Sequence, residues 1–240
     1  LTLQPEEKVV MVLPVKEFDE NKFLVMATKR GVVKKTALSE YRNIRTTGIN
    51  AISIDDGDGL MGARITDGNQ DIFLTSATGM SIRFSEKDVR AMGRTAYGVN
   101  GMALDAGDQL VGMDVIQGGA EAAGEILVVS ELGYGKRTPV NEYKVQGRGG
   151  KGIITLKVTD KIGNLVSARA VTPKDDLMLF SSRGKLIRIS IGEIRETGRN
   201  ASGVRLMNVD QGEKVVAVEN VPGMEGLPAD GAASDPETIH

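Results

Sequence analysis

The chain has 240 residues, of which 40% are hydrophobic, 26% charged and 4% aromatic, with 30 Gly, no Cys, no Trp, one His and a formal net charge of -2. The absence of Cys excludes a disulfide framework, a thiolate metal site and a cysteine nucleophile, and a single His at position 240 excludes a Ser-His-Asp triad and a histidine metal centre. No apolar run approaches the roughly 18 residues of a membrane span and no signal-peptide pattern opens the chain, so a cytosolic globular protein is expected, with one or two ordinary domains or one large all-β unit.

The first apolar segment is KVVMVLPV, residues 8–15. KFLVMATKRG follows and ends at Gly31, with a cation, Lys35, four residues later. A basic loop then leads to Gly48 and the segment GINAISI, which closes on the acidic turn Asp55 to Asp58. The same order returns three times. LMGARITD, DIFLTSATG ending at Gly79, Arg83, GVNGMAL from Gly98 and the turn Asp105 to Asp108 make the second copy. LVGMDVIQ, EILVVSELG ending at Gly133, Arg137, GIITLKV from Gly152 and a turn ending at Gly163 make the third. LVSARAVT, DLMLFSSRG ending at Gly184, Arg188, GVRLMNV from Gly203 and a turn ending at Glu213 make the fourth, and VVAVENV stands after it.

Each segment is five to eight residues long, rich in Val, Ile and Leu, and bounded by Gly or Asp. That is a strand pattern, because side chains alternate between faces and turns recur every 8 to 12 residues. No stretch carries 12 residues of helical periodicity, although Ser85 can cap a short helical turn up to Arg90. Units of about 50 residues with four strands each predict propeller blades stacked around an axis. The expected blades are 7–58, 59–108, 109–163 and 164–213, with an extra strand at 214–221 that completes a neighbouring or first blade. Residues 222–240 are small, Pro/Gly-rich and acidic without Lys or Arg, which predicts a flexible tail.

The small net charge conceals a periodic segregation. Residues 28–46 carry six cations and one acid, 79–98 four and two, 134–152 five and one, and 183–199 five and two. Equivalent loops of a circular array share one rim, so a basic band is expected there, and a basic band attracts phosphate. The candidate contacts are Lys34, Lys35, Arg42, Arg45, Arg83, Arg90, Arg94, Lys136, Arg137, Lys185, Arg188, Arg195 and Arg199. Single-strand binders stack bases on aromatic platforms, and this chain has five Phe and four Tyr, so backbone-held duplex DNA is the better match. A band that curves around a disk bends the duplex it holds.

One loop is glycine-rich: Gln146-Gly147-Arg148-Gly149-Gly150-Lys151-Gly152. Glycines allow close backbone approach to an anion, Arg148 offers a planar fork and Lys151 a point charge. The dinucleotide G-x-G-x-x-G reading fails because the motif opens a strand, IITLKV, rather than a helix. A P-loop fails because Lys151 is followed by Gly152 rather than Ser or Thr.

QGRGGKG resembles the gyrase A box found in the C-terminal domain of DNA gyrase A, and the repeats resemble that domain over residues 1–220. The resemblance implies a β-pinwheel that wraps duplex DNA with positive handedness and supports ATP-driven negative supercoiling. It implies as partners duplex DNA, the rest of gyrase A, and gyrase B, in a complex of two of each in the bacterial cytoplasm. No membrane and no small-molecule substrate is expected, and ATP and Mg belong to other parts of the holoenzyme. The catalytic Tyr of the family belongs to another region, and Tyr41, Tyr97, Tyr134 and Tyr143 do not match it, so no catalysis by this chain alone is expected. The family's box lies in the first of about six blades. Here it lies in the third unit, which implies a chain starting near the second blade, and Gly147 replaces a residue that is often basic. The corresponding domain of topoisomerase IV generally lacks an intact box. A protein-interaction propeller would need an apolar or aromatic patch, and a propeller enzyme an acid-base cluster; neither is visible in the sequence.

Overall fold

The computed structural model describes residues 8–43, 45, 47–119 and 123–221. Four hairpins form the framework: β1 (Phe23–Thr28) with β2 (Val32–Ala37), β4 (Gln70–Ser76) with β5 (Met80–Ser85), β8 (Glu125–Ser130) with β9 (Tyr134–Pro139), and β12 (Asp176–Ser181) with β13 (Leu186–Ser190). Each turn closes by a bond from a glycine N–H to the carbonyl three residues earlier: Gly31 to Thr28, Gly79 to Ser76, Gly133 to Ser130 and Gly184 to Ser181. These glycines have φ between +79° and +88°, the left-handed conformation that this hairpin turn requires.

The next apolar segment down the chain pairs back onto the first strand of each hairpin. These are β3 (Leu60–Thr66) on β1, β7 (Leu110–Gln117) on β4, β11 (Leu165–Val171) on β8 and β15 (Val215–Val221) on β12. A short strand donated by the following unit covers the other edge: β6 (Val99–Asn100) on β2, β10 (Ile153–Ile154) on β5 and β14 (Val204–Arg205) on β9. All pairings are antiparallel. The result is three four-stranded sheets, β3-β1-β2-β6, β10-β5-β4-β7 and β11-β8-β9-β14, and a three-stranded sheet, β13-β12-β15. Strands β3, β7, β11 and β15 pack against one another in that order and form the inner edges, so the donated straps lie at the outer rim.

The all-β, propeller-like architecture with strand exchange is as expected. The sheets nevertheless cross the boundaries read at 58/59, 108/109 and 163/164, and the strand read as extra at 214–221 is the inner strand of the fourth sheet. The apolar period sets the repeat length but not which flanking segment a hairpin takes as partner. Residues 8–15 form no strand; Met11 and Leu13 pack on Met26, Leu38, Tyr41 and Ala63 at the face of the first sheet. The acidic tail at 222–240 lies outside the described residues.

Strand parity builds the core. Alternate residues of one central strand serve two different inter-blade interfaces. Ile72 and Leu74 point into the cluster shared with the first sheet, with Val25, Val33 and Phe84, while Phe73 points into the next, with Ile126, Val128 and Tyr143. Leu127 and Val129 then join Leu177, Leu179 and Ile191 of the fourth sheet. A strand buried on both faces reads as the continuous apolar run seen in the sequence. After each outer hairpin strand comes a single 3-10 turn, at Leu38–Tyr41, Glu86–Asp88, Val140–Glu142 and Ile191–Glu193. Ser85 caps the second of them, accepting from the Lys87 N–H at 3.3 Å.

Candidate nucleic-acid interface

The cation four residues after each turn glycine is a staple between blades. Arg83 is buried, paired with Asp71 at 2.7 Å, and donates to the carbonyls of Val140, Tyr143 and Gly119 in the next unit. Arg137 is buried against Glu125 and donates to the carbonyls of Ile194 and Gly192. Lys35 is buried, donates to the Glu86 carbonyl at 2.7 Å and lies 5.0 Å from the centre of the Phe23 ring. Arg188 pairs with Asp176 at 2.5 Å and stays exposed, since no described blade follows to cover it. In three of these pairs the acid precedes the cation by 12 residues. That regular spacing, present in the sequence, marks cross-strand partners within each hairpin.

Lys34 and Lys136 are fully buried. The Lys34 ammonium donates to the carbonyls of Ala51 and Arg94, and that of Lys136 to the carbonyls of Gly198 and Arg199. Burial, reinforced by the nearby Arg94 and Arg199 charges, lowers both lysines to about 8; Glu142 acts in the opposite sense on Lys136. Five predicted phosphate contacts, Lys34, Lys35, Arg83, Lys136 and Arg137, are therefore corrected to structural cations. A buried charge costs least when it is paired and hydrogen-bonded, which describes Lys35, Arg83 and Arg137; Lys34 and Lys136 are held by backbone carbonyls without an ion-pair partner, which is why burial depresses them.

The remaining predicted cations are available on the surface. Arg42, Arg45, Arg90, Arg148, Lys151, Lys185, Arg188 and Arg195 are exposed, and Arg94 and Arg199 are half-buried. Lys151 pairs with Asp105 at 2.6 Å, yet both side chains stay about 70% exposed, so the pair is solvated and exchangeable. Lys185 pairs with Glu213 at 3.2 Å.

The glycine-rich loop is tied into the fold along its backbone. The N–H of Gln146 donates to the Arg83 carbonyl at 2.8 Å, that of Gly149 to the Gly101 carbonyl at 2.7 Å, and Gly150 accepts from Ala103 at 3.0 Å. The Gly149 N–H is thus already used within the fold and is not offered to an anion. Gly152 has φ +76°, and a Cβ there would lie 2.1 Å from the Ser81 carbonyl, so its role is to let the strap reach β5. What faces outward is the Arg148 guanidinium. It donates from Nε to the Asp88 carbonyl and from Nη1 to the Asn100 carbonyl, both at 3.0 Å, using two of its five donors.

Arg148 is one member of a ladder. Counted back four residues from Gly98, Gly152 and Gly203, the chain has Arg94, Arg148 and Arg199, each preceded by Gly. Each guanidinium bonds to the carbonyl two residues after the equivalent glycine of the preceding strap: Arg94 to Asn50, Arg148 to Asn100 and Arg199 to Ile154. Three arginines thus occupy equivalent places on the outer rim, fixed by their neighbours. Alignment of the three straps on their glycines reveals this register; the loop sequences between differ enough to hide it. The exposed Lys87 and Lys144, one just after Ser85 and one just before the box, extend the basic rim and were not among the expected contacts.

Among the described residues no group of three or more His, Cys, Asp or Glu is placed to hold a metal ion, and no helix is long and apolar enough to cross a membrane.

The chain matches the family described as DNA gyrase C-terminal domain, beta-propeller, over residues 22–67, 70–117, 124–172 and 175–222, which are the hairpins with their inner strands. It is 49% identical over 221 residues to the A subunit of DNA gyrase from Clostridium acetobutylicum and 43% identical over 222 residues to that from Staphylococcus epidermidis, in each case over 92% of this chain. The chain spans about a quarter of the length of these relatives, 26% and 25%. Among solved structures it is similar to a DNA gyrase A C-terminal domain, with a TM-score of 0.81 and 27% identity over 92% of this chain and 73% of that one. A DNA topoisomerase IV C-terminal domain shares the fold, with a TM-score of 0.84 and 24% identity over 92% of this chain and 68% of that one.

Proposed function

Because the chain belongs to the DNA gyrase C-terminal domain family, we propose that it binds duplex DNA along its strap-bearing rim and wraps it, supporting supercoiling by a holoenzyme of gyrase A and gyrase B. The carrying observation is the register of Arg94, Arg148 and Arg199 on successive straps, with exposed Lys151 and Lys144 beside the central one. A duplex meeting such a rim encounters fixed guanidinium groups at regular intervals, which suits contact with backbone phosphates and curvature rather than base readout. The five buried cations take no part directly. They hold the blades in the arrangement that spaces the rim. Catalysis has no place in this reading, and strand cleavage and ATP turnover belong to the rest of the holoenzyme.

Duplex affinity measured against salt tests this. Each phosphate neutralised contributes about 0.9 to the log-log slope. A slope magnitude of several is expected, and a flat response overturns the reading. Arg148→Ala with Lys151→Ala should reduce bending of a doubly labelled duplex more than neutralising two exposed cations away from the straps, such as Lys174 and Lys214. Ligation of nicked circular DNA in the presence of the chain should fix positive writhe, and an unchanged linking number means binding without wrapping.

A further inference from the structure

The glycine-rich loop carries two cations, and they are compensated differently. The loop runs along the strap that begins at Gly98. It is tied there by the Arg148 bond to the Asn100 carbonyl, by the Gly149 N–H to the Gly101 carbonyl at 2.7 Å and by the Ala103 N–H to the Gly150 carbonyl at 3.0 Å. Arg148 is held by two carbonyls, which are neutral, so its charge stays uncancelled toward solvent. Lys151 is held by an anion. The same strap ends at Asp105, whose Oδ1 meets the Lys151 Nζ at 2.6 Å, and the pair cancels the lysine charge at the rim.

This pairing is peculiar to the glycine-rich loop. The residues just before Gly48, Gly98, Gly152 and Gly203 are Thr47, Tyr97, Lys151 and Ser202, so only one of the four is a cation. The turns Asp55–Asp58 and Asp105–Asp108 are equivalent, each closed by a bond of 3.0 Å from the last N–H to the first carbonyl. The segments leading into them are equivalent too, since Ser53 donates to the Ala96 carbonyl as Ala103 donates to that of Gly150. By that register Asp55 takes the same place relative to Tyr97 as Asp105 takes relative to Lys151, and Tyr97 offers it no charge. Both partners of the Lys151–Asp105 pair are about 70% exposed. The backbones of loop and turn are held by their own bonds, so the two side chains can part without a change in either.

We infer that Asp105 competes with duplex phosphate for Lys151, so that the loop's lysine takes a phosphate only by releasing a carboxylate. This rests on the DNA reading and adds to it a residue that opposes binding. Carboxylate and phosphate oxygens accept the same charge-assisted bond from an ammonium, so one can replace the other. Arg148 has no anion to release and Lys151 has one. Arg148 therefore attracts a duplex from a distance, whereas Lys151 adds its contact once a phosphate is within reach. The exchange also leaves the freed Asp105 carboxylate near a phosphate, and that approach of like charges lowers affinity further. An exposed ion pair contributes little to the fold, which suits a contact that is exchanged on binding.

Duplex affinity at low salt tests this. Asp105→Asn removes the anion at an exposed position and should tighten binding about two- to fivefold, the range that an exposed pair commands. Asp55→Asn removes the same charge from the equivalent turn, where no lysine stands opposite, and should tighten binding less. In a Lys151→Met background the gain from Asp105→Asn should fall to that of Asp55→Asn, and the double-mutant cycle gives the coupling between the two residues. Asp105→Glu keeps a carboxylate within reach of Lys151 and should leave affinity close to native. Equal gains from Asp105→Asn and Asp55→Asn overturn the inference and leave the DNA reading standing. So does an Asp105→Asn gain that persists undiminished without Lys151. A chain that binds no duplex at any salt concentration overturns both.

Discussion

Lys34 and Lys136 show how a repeat position can mislead. Both look like rim cations in sequence, yet the equivalent residues of the second and fourth units are Ile82 and Ile187. A position filled by Lys twice and Ile twice is an interior one, and alignment of the four units on their turn glycines is enough to show it. What the sequence does not carry is the reason Lys is tolerated there, namely two backbone carbonyls, from a strap or the loop that leads into one, within reach of each ammonium. The linkage follows from the lowered pKa. Below about 8 each lysine is charged in both states and the folded protein bears the full cost of burying it; between about 8 and the unfolded value of 10.5 that cost is relieved. Stability against urea should therefore rise from pH 8 toward 9.5. Above pH 10 the raised tyrosines 41 and 143 act the other way, because the unfolded chain ionises them first. The double variant Lys34→Met, Lys136→Met should lose most of the rise, and an undiminished rise would assign it to other groups.

At the level of elements, the period was legible and the phase was not. Glycine spacings of about 50 residues, apolar runs and acidic turns specify four hairpins and their connections. Two apolar segments flank every hairpin at similar distances, and nothing in their composition tells which one supplies the inner strand. Tertiary packing decides, and it shifts every blade boundary by one strand. The glycines separate into two kinds on the same grounds. Gly79 has φ +88° and a strap carbonyl 2.1 Å from where a Cβ would sit, whereas Gly212 has φ +75° and open space. Gly79→Ala should cost about 3 kcal/mol or more, combining backbone strain with a displaced strap. Gly212→Ala should cost only about 1 kcal/mol, from backbone strain alone. Urea titration of the two variants checks this, and equal costs would contradict a strap pressed on Gly79.

For the molecule as a whole, a net charge of -2 combines an outer basic rim with acids in the turns and tail. The charge pattern of the sequence counts together the staples, which lie on the outer hairpin strands, and the exposed cations of the rim. Composition does not separate them, since Arg83 and Arg148 are chemically identical and differ in whether a blade covers them; repeat position does. Residues 222–240 contain four acids and no Lys or Arg, so their removal should tighten duplex binding at low salt, with the gain shrinking as screening increases. Affinity measured with and without them at two ionic strengths checks this, and no change would dismiss the tail as a competitor for the rim.

The donated straps also impose an order on biosynthesis. Ser81 bonds to Ile153, 72 residues further along the chain. At about 5 to 20 residues per second, the ribosome takes roughly 4 to 14 seconds to supply that segment after the hairpin it completes. Throughout that interval the newest hairpin leaves the ribosome with one edge bare, and it gains its cover only when the following unit has been made. Each blade is thus finished by its successor, and until that successor is made the bare edge is open to a neighbouring nascent chain.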